Sequence, residues 1–231
     1  MKMDLNLIKA RSYYYEFFAI PFFFYENGAK FSLWKEQLEF LKSSPISETD
    51  AKNFEILQNF SFEEFRREQN DVLFDFSFVN VPTTASFYDE GRDEGRMKIL
   101  ITNTLKKSKF RRNSELCKDS EDFVGFIFYL QSSLLRDEAE AQNGNIFLST
   151  ELFASVINEF CDHFMGLLKE HKSSKFFRAL AGIMESFFAL ERSLLALPKP
   201  QKDKNIAKES INAKLYRGNF KNAKHNFEFD E

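Results

Sequence analysis

The side chains best able to do chemistry are the adjacent carboxylates Glu121 and Asp122, the thiols Cys117 and Cys161, and the three histidines His163, His171 and His225. Paired carboxylates could work as general acid and base, or receive a cation such as an arginine pair. Neighbouring residues on a helix point in different directions, however. Ser120-Glu121-Asp122 also reads as a helix start, where a hydroxyl caps and acids complement the dipole. Cys117 and His163 could form a nucleophilic pair only by meeting in space, since nothing in their spacing brings them together. Cys161-Asp162-His163 matches no common zinc spacing, and Gly91 and Gly95 do not stand in a phosphate-binding loop. The expectation is a chain with no catalytic residues, no metal ligands and no cofactor.

The elements that would position these groups read as helix after helix. Apolar residues recur at three and four positions almost throughout, which predicts an all-α fold. A first helix is expected from about Asp4 to Phe24, kinked or ended near Pro21, with Asn27-Gly28 as a turn before a second helix over Phe31 to Leu41. Phe17, Phe24 and Trp34 are candidate core anchors. Ser47 can cap a helix through Phe60, and Ser61-Phe62-Glu63-Glu64 has capping-box spacing for a helix ending near Phe74. The stretch from Asp75 to Asp89 loses the helical period and reads as an extended loop, the natural place for function. Helix resumes over Gly95 to Lys107, then from Ser120 along Phe123, Phe126, Ile127, Leu130 and Leu134, then over Thr150 to Glu170 and Ser174 to Leu197. The basic cluster Lys106, Lys107, Lys109, Arg111 and Arg112 reads as a solvated helix end.

Length and composition set the frame. A chain of 231 residues with 43% hydrophobic content can bury a real core as one domain over 1–197, leaving 198–231 as a polar tail, flexible or weakly docked. Thirty Phe against one Trp and seven Tyr read as core filler. The 32 Lys and Arg against 35 Asp and Glu leave a net charge of -3, too small to draw the chain to nucleic acid. The most apolar run, Phe17 to Phe24, is about eight residues against the roughly 20 that a membrane span needs. With only two cysteines and no small-residue cleavage site near Met1-Lys2-Met3-Asp4, the expectation is free thiols, a cytoplasmic location and no stable membrane insertion.

Three segments in order, Asn70-Asp71-Val72-Leu73-Phe74, Val81-Pro82-Thr83-Thr84-Ala85-Ser86-Phe87-Tyr88 and Ser120-Glu121-Asp122-Phe123, resemble the signature of the TorD/DmsD redox-enzyme maturation chaperones. That signature runs roughly Y-x-x-L-F, P-x-x-x-S-V-Y/W and E-x-D-H. Ser174-Lys175-Phe176-Phe177-Arg178-Ala179-Leu180 is similar to the family's F-Y-x-x-L-A segment, so the resemblance spans about Asp50 to Glu191. It departs at Asn70, where an aromatic is usual, and at Phe123, where the family's histidine stands.

The resemblance implies a TorD-like single helical domain, monomeric or dimeric, that binds the twin-arginine signal peptide, or an adjacent segment, of an exported molybdopterin enzyme. It would hold that precursor back until its cofactor is loaded. On that reading Leu73, Phe74 and Tyr88 line a groove for the signal's apolar region, Pro82 and Ser86 shape the loop, and Glu121 and Asp122 meet the arginines beside Phe123. The client would be a formate dehydrogenase or a sulfoxide or N-oxide reductase. The alternatives are a helical adaptor for a different protein partner and, third, a helical enzyme using Glu121 and Asp122.

Overall fold

The computed structural model describes residues 3–23, 28–75, 79–115, 117–141, 147–201 and 204–213. Phe24, Asn27 and His225 lie outside them, as do 214–231 of the tail. Among the described residues the chain is all-helical, with a single isolated antiparallel bridge, Thr84 to Phe123, and no strand.

Helix α1 (Leu5–Ala19) starts on Asp4, whose carboxylate accepts the N–H groups of Asn6 and Leu7. It tightens into a 3₁₀ turn over Ile20–Phe22, where Pro21 removes a donor. Helix α2 (Ala29–Lys42) returns across it, and Trp34 stacks on Phe17 at 5.0 Å while its indole N–H donates to the Phe17 carbonyl. Helix α3 (Glu48–Gln58) is capped by Ser47. Helix α4 (Phe62–Gln69) opens on the capping box of Ser61 and Glu64 and runs on as a π-turn over Asn70–Phe74.

Helix α5 (Ala85–Glu90) corrects the expectation of a continuous loop from Asp75 to Asp89: among the described residues of that stretch, Asp75 and 79–84 are non-helical and 85–89 are helix. The short helix is too brief to show a period in sequence, and its last residue meets Gly91 at φ 70, the left-handed position that glycine reaches without a Cβ clash. Helix α6 (Arg96–Lys107) follows a five-residue turn, and α7 (Val124–Glu140) lies against α1 along most of its length. Small side chains allow that approach: Ser12 donates to the Ser132 carbonyl at 3.0 Å. Helix α8 (Leu148–Leu152) continues through a π-turn over Phe153–Ile157 into α9 (Asn158–Glu170), and α10 (Phe176–Leu195) packs on α3 and α9.

The phenylalanines fill the centre. Phe22, Phe54, Phe65, Phe128, Phe153, Phe160, Phe176 and Phe188 are all buried, each contributing about 1.5–3 kcal/mol by leaving water. Two polar devices lock the helices. Glu68 on α4 accepts the N–H groups of Lys175, Phe176 and Phe177 at 2.8–2.9 Å, satisfying the open donors at the start of α10. Arg11 on α1 and Glu191 on α10 form a fully buried pair that also receives the Tyr15 hydroxyl at 2.8 Å.

After α10 the chain passes Pro198 and Pro200 and forms a further helix over 206–213, whose Ala207 is fully buried. Among the described residues, no helix is long and apolar enough to cross a membrane.

Candidate functional site

The extended segment 79–84 is stitched in on both sides. The Val81 N–H donates to the Val72 carbonyl at 2.9 Å, tying the segment to the π-turn that ends α4. On the other side, the Val124 N–H donates to the Thr83 carbonyl and the Ala85 N–H to the Asp122 carbonyl, both at 2.8 Å, flanking the Thr84 to Phe123 bridge. Residues about forty positions apart therefore meet in one place. The three motif segments, 70–74, 81–88 and 120–123, are neighbours.

The expected cap at Ser120 is absent. Helix α7 starts at Val124, with Phe123 as the flanking residue, because the backbone of 122–124 is occupied pairing with 83–85 and 120–123 form a turn in which the Phe123 N–H donates to the Ser120 carbonyl at 3.0 Å. Ser120 Oγ is instead buried without a hydrogen-bond partner among the described residues, as are Ser86 Oγ and Asp122 Oδ1. Asp122 is fully buried, and its Oδ2 accepts the Glu94 N–H at 3.2 Å. Glu94 has φ 56, so the carboxylate supports a left-handed backbone inside the turn from α5 to α6. The same turn is held by Glu90, which accepts the Arg96 N–H at 2.7 Å, and by the Thr84 hydroxyl, which donates to Asp93.

Glu121 is the accessible acid of the pair. Arg112 donates to it at 2.9 Å and Lys98 approaches to 3.7 Å. Burial pushes its carboxyl up, but its own backbone N–H, Arg112 and Lys98 outweigh that and hold it below the ordinary carboxylate value. The basic cluster faces solvent at the end of α6, with Lys106, Lys107, Lys109 and Arg111 exposed and Arg112 partly so, while pairing across the surface. Lys107 pairs with Glu151 and Lys109 with Asp137, while Arg111 donates to the carbonyls of Leu105, Ser108 and Phe110.

Of the residues expected to bind a peptide, Leu73, Ser86, Tyr88, Asp122 and Phe123 are buried, and Phe74, Pro82 and Glu121 are partly exposed. Tyr88 packs its ring between Phe160 and Phe164 and donates its hydroxyl to the Pro82 carbonyl at 2.7 Å, so it holds the loop from beneath. Phe123, where a histidine would stand in the resembled signature, lies edge-on to Phe23 and directly over Gly125; a Cβ at 125 would come within 2.6 Å of its ring.

The sequence carries no sign of Glu94, Glu90 and Asp93, which shape the turn. A positive φ at a glutamate leaves no trace in composition, whereas Gly91 and Gly95 bracketing the turn were a usable signal. Among the described residues no three His, Cys, Asp or Glu side chains converge as a metal site requires, and both thiols are free. Comparison with protein-family models and with curated proteins finds no match to this chain.

Proposed function

We propose that this chain is a non-catalytic, cytoplasmic maturation chaperone of the TorD/DmsD kind. It binds the signal peptide, or an adjacent segment, of a precursor destined for twin-arginine export, a molybdopterin enzyme such as a formate dehydrogenase or a sulfoxide or N-oxide reductase. One observation carries the reading. The three separated segments on which the resemblance rests are brought together by the Val81–Val72 hydrogen bond and the Thr84–Phe123 bridge, so their co-occurrence in sequence has a spatial reason.

The chemistry supports a binding role. Glu121 is partly exposed, held below the ordinary carboxylate value and paired with cations of the same molecule, so an arginine pair from a client can exchange with Lys98 and Arg112. Asp122 and Tyr88 act one layer below, fixing the loop and the turn around that carboxylate.

Affinity purification of the tagged chain from its native host, with mass spectrometry of the co-purifying proteins, tests this directly. The expected result is one molybdenum-enzyme precursor, with recovery falling at least tenfold for Glu121→Lys. Recovery of unrelated partners alone would sink the family reading and favour a general helical adaptor. The same precursor recovered undiminished from Glu121→Lys would move the site away from that carboxylate.

A further inference from the structure

The helix over 206–213 folds back onto the motif region. Ala207 is fully buried, Ile206 and Ile211 are half-buried, and Lys208 pairs with Glu170 at 2.7 Å where both side chains reach solvent. The fit against the turn after α5 is close: a Cβ at Gly91 would come 2.6 Å from Ser210 Oγ and 3.3 Å from Ile206 Cγ2. The floor consists of Val79 and Val81 on the extended segment and Leu167 and His171 at the end of α9.

The seat is imperfectly filled. A cavity of about 330 Å³ remains between that floor and Lys208, Ile211 and Asn212 of the helix. His171, 8% exposed, lines the same cavity, and its Nε2 has no hydrogen-bond partner among the described residues. A helix this short does not persist in water without support, about 12–15 residues being the usual minimum, so its helicity depends on docking. It reaches the seat across a connection containing Pro198 and Pro200, which does not continue α10.

We infer that the groove between residues 79–81 and the end of α9 is the docking site for the client segment, and that the 206–213 helix is its internal occupant, displaced when the client binds. The inference rests on the chaperone reading and gives it a surface. The occupant in place defines the chemistry of the one that replaces it: a short helix with an apolar face for Val79, Val81 and Leu167 and, besides the arginine pair that meets Glu121, a further cation for Glu170. A signal peptide, with basic residues ahead of an apolar run of roughly 7–15 residues, has both. Competition between the internal helix and the client would keep the groove covered when no precursor is present.

The test uses the full chain and two fluorescent synthetic peptides. One has the sequence of residues 204–213; the other carries two adjacent arginines followed by an apolar run of about ten residues. Ala207→Glu places a charge in the buried contact, and Lys208→Glu sets two carboxylates against each other at an exposed position, so at least the second variant keeps the fold, checked by circular dichroism. The 204–213 peptide is expected to bind both variants at least tenfold tighter than the parent chain, and the arginine peptide to displace it. Equal binding by parent and variants overturns the internal-occupant inference. Tight binding of the 204–213 peptide that the arginine peptide fails to displace, although the arginine peptide binds elsewhere, overturns the assignment of this groove to the client and leaves the chaperone reading standing. An arginine peptide that binds neither parent nor variants overturns the chaperone reading as well.

Discussion

Asp122 reaches across from the segment before α7 to accept the backbone N–H of Glu94 at 3.2 Å, and Glu94 sits at φ 56. A buried carboxylate is thereby committed to holding a neighbouring turn in a conformation that a glutamate seldom adopts, while its other oxygen is left unpartnered among the described residues. Of the two adjacent carboxylates, Asp122 supports the turn and Glu121 beside it is the one that reaches solvent.

Asp122→Ala is therefore expected to destabilise the protein by about 1–3 kcal/mol, the range for losing a buried partner to a backbone donor. Asp122→Asn, which keeps an acceptor oxygen in place, is expected to cost less. Urea unfolding of the two variants checks this. A change below about 0.5 kcal/mol for the alanine variant would show that the turn does not depend on the carboxylate.

The buried pair of Arg11 and Glu191 joins the first and last long helices, with side chains 1% and 0% exposed. Arg11→Met leaves Glu191 and the Tyr15 hydroxyl in a dry site without the guanidinium and is expected to cost about 3–5 kcal/mol. Adding Glu191→Leu is expected to recover part of that loss, because no isolated charge remains. Additive costs in a double-mutant cycle would rule out the coupling.

Acid sensitivity near neutrality is expected from His171. Burial is the main cause lowering its pKa from the ordinary 6.5, with Lys172 acting the same way and Asp75 and Asp71 opposing. The unfolded chain then binds more protons than the native one below about pH 6.5, so stability falls as the pH drops through that value toward the lower native pKa. Unfolding midpoints of the parent chain and His171→Gln, measured between pH 7.5 and about 5.5, should converge on acidification. Parallel pH profiles for the two proteins would remove His171 as the cause.

The two thiols should differ in reactivity. Cys161 is fully buried and its pKa is pushed up to about 12, chiefly by burial and then by Asp162, while Cys117 is half-buried and raised for the same leading reason to a smaller degree. A thiol-specific disulfide reagent at neutral pH should titrate Cys117 slowly in the native protein and Cys161 only after denaturation. Loss of the native reaction in Cys117→Ser would identify the reactive group; equal native rates for both thiols would contradict the burial of Cys161.

The sequence by itself determined what is local. The 3.6-residue apolar period, the Ser47 cap, the Ser61–Glu64 capping box and the break at Pro21 each act within a turn or two of chain, so they are readable from neighbours in order and appear in the structure. The three motif segments were also legible as sequence, but not the reason they occur together. Only the tertiary structure decided the rest. Ser120 lost its cap because residues 122–124 pair with 83–85, and residues 85–90 became helix inside what read as a loop. Asp122 and Tyr88 went beneath the site rather than onto it, and a stretch of the polar tail found a seat beside Val81. Those outcomes depend on which hydrogen-bond donors and apolar surfaces distant segments present to one another once packed. Such pairings are set by the whole arrangement of helices, and no window of residues along the chain contains them.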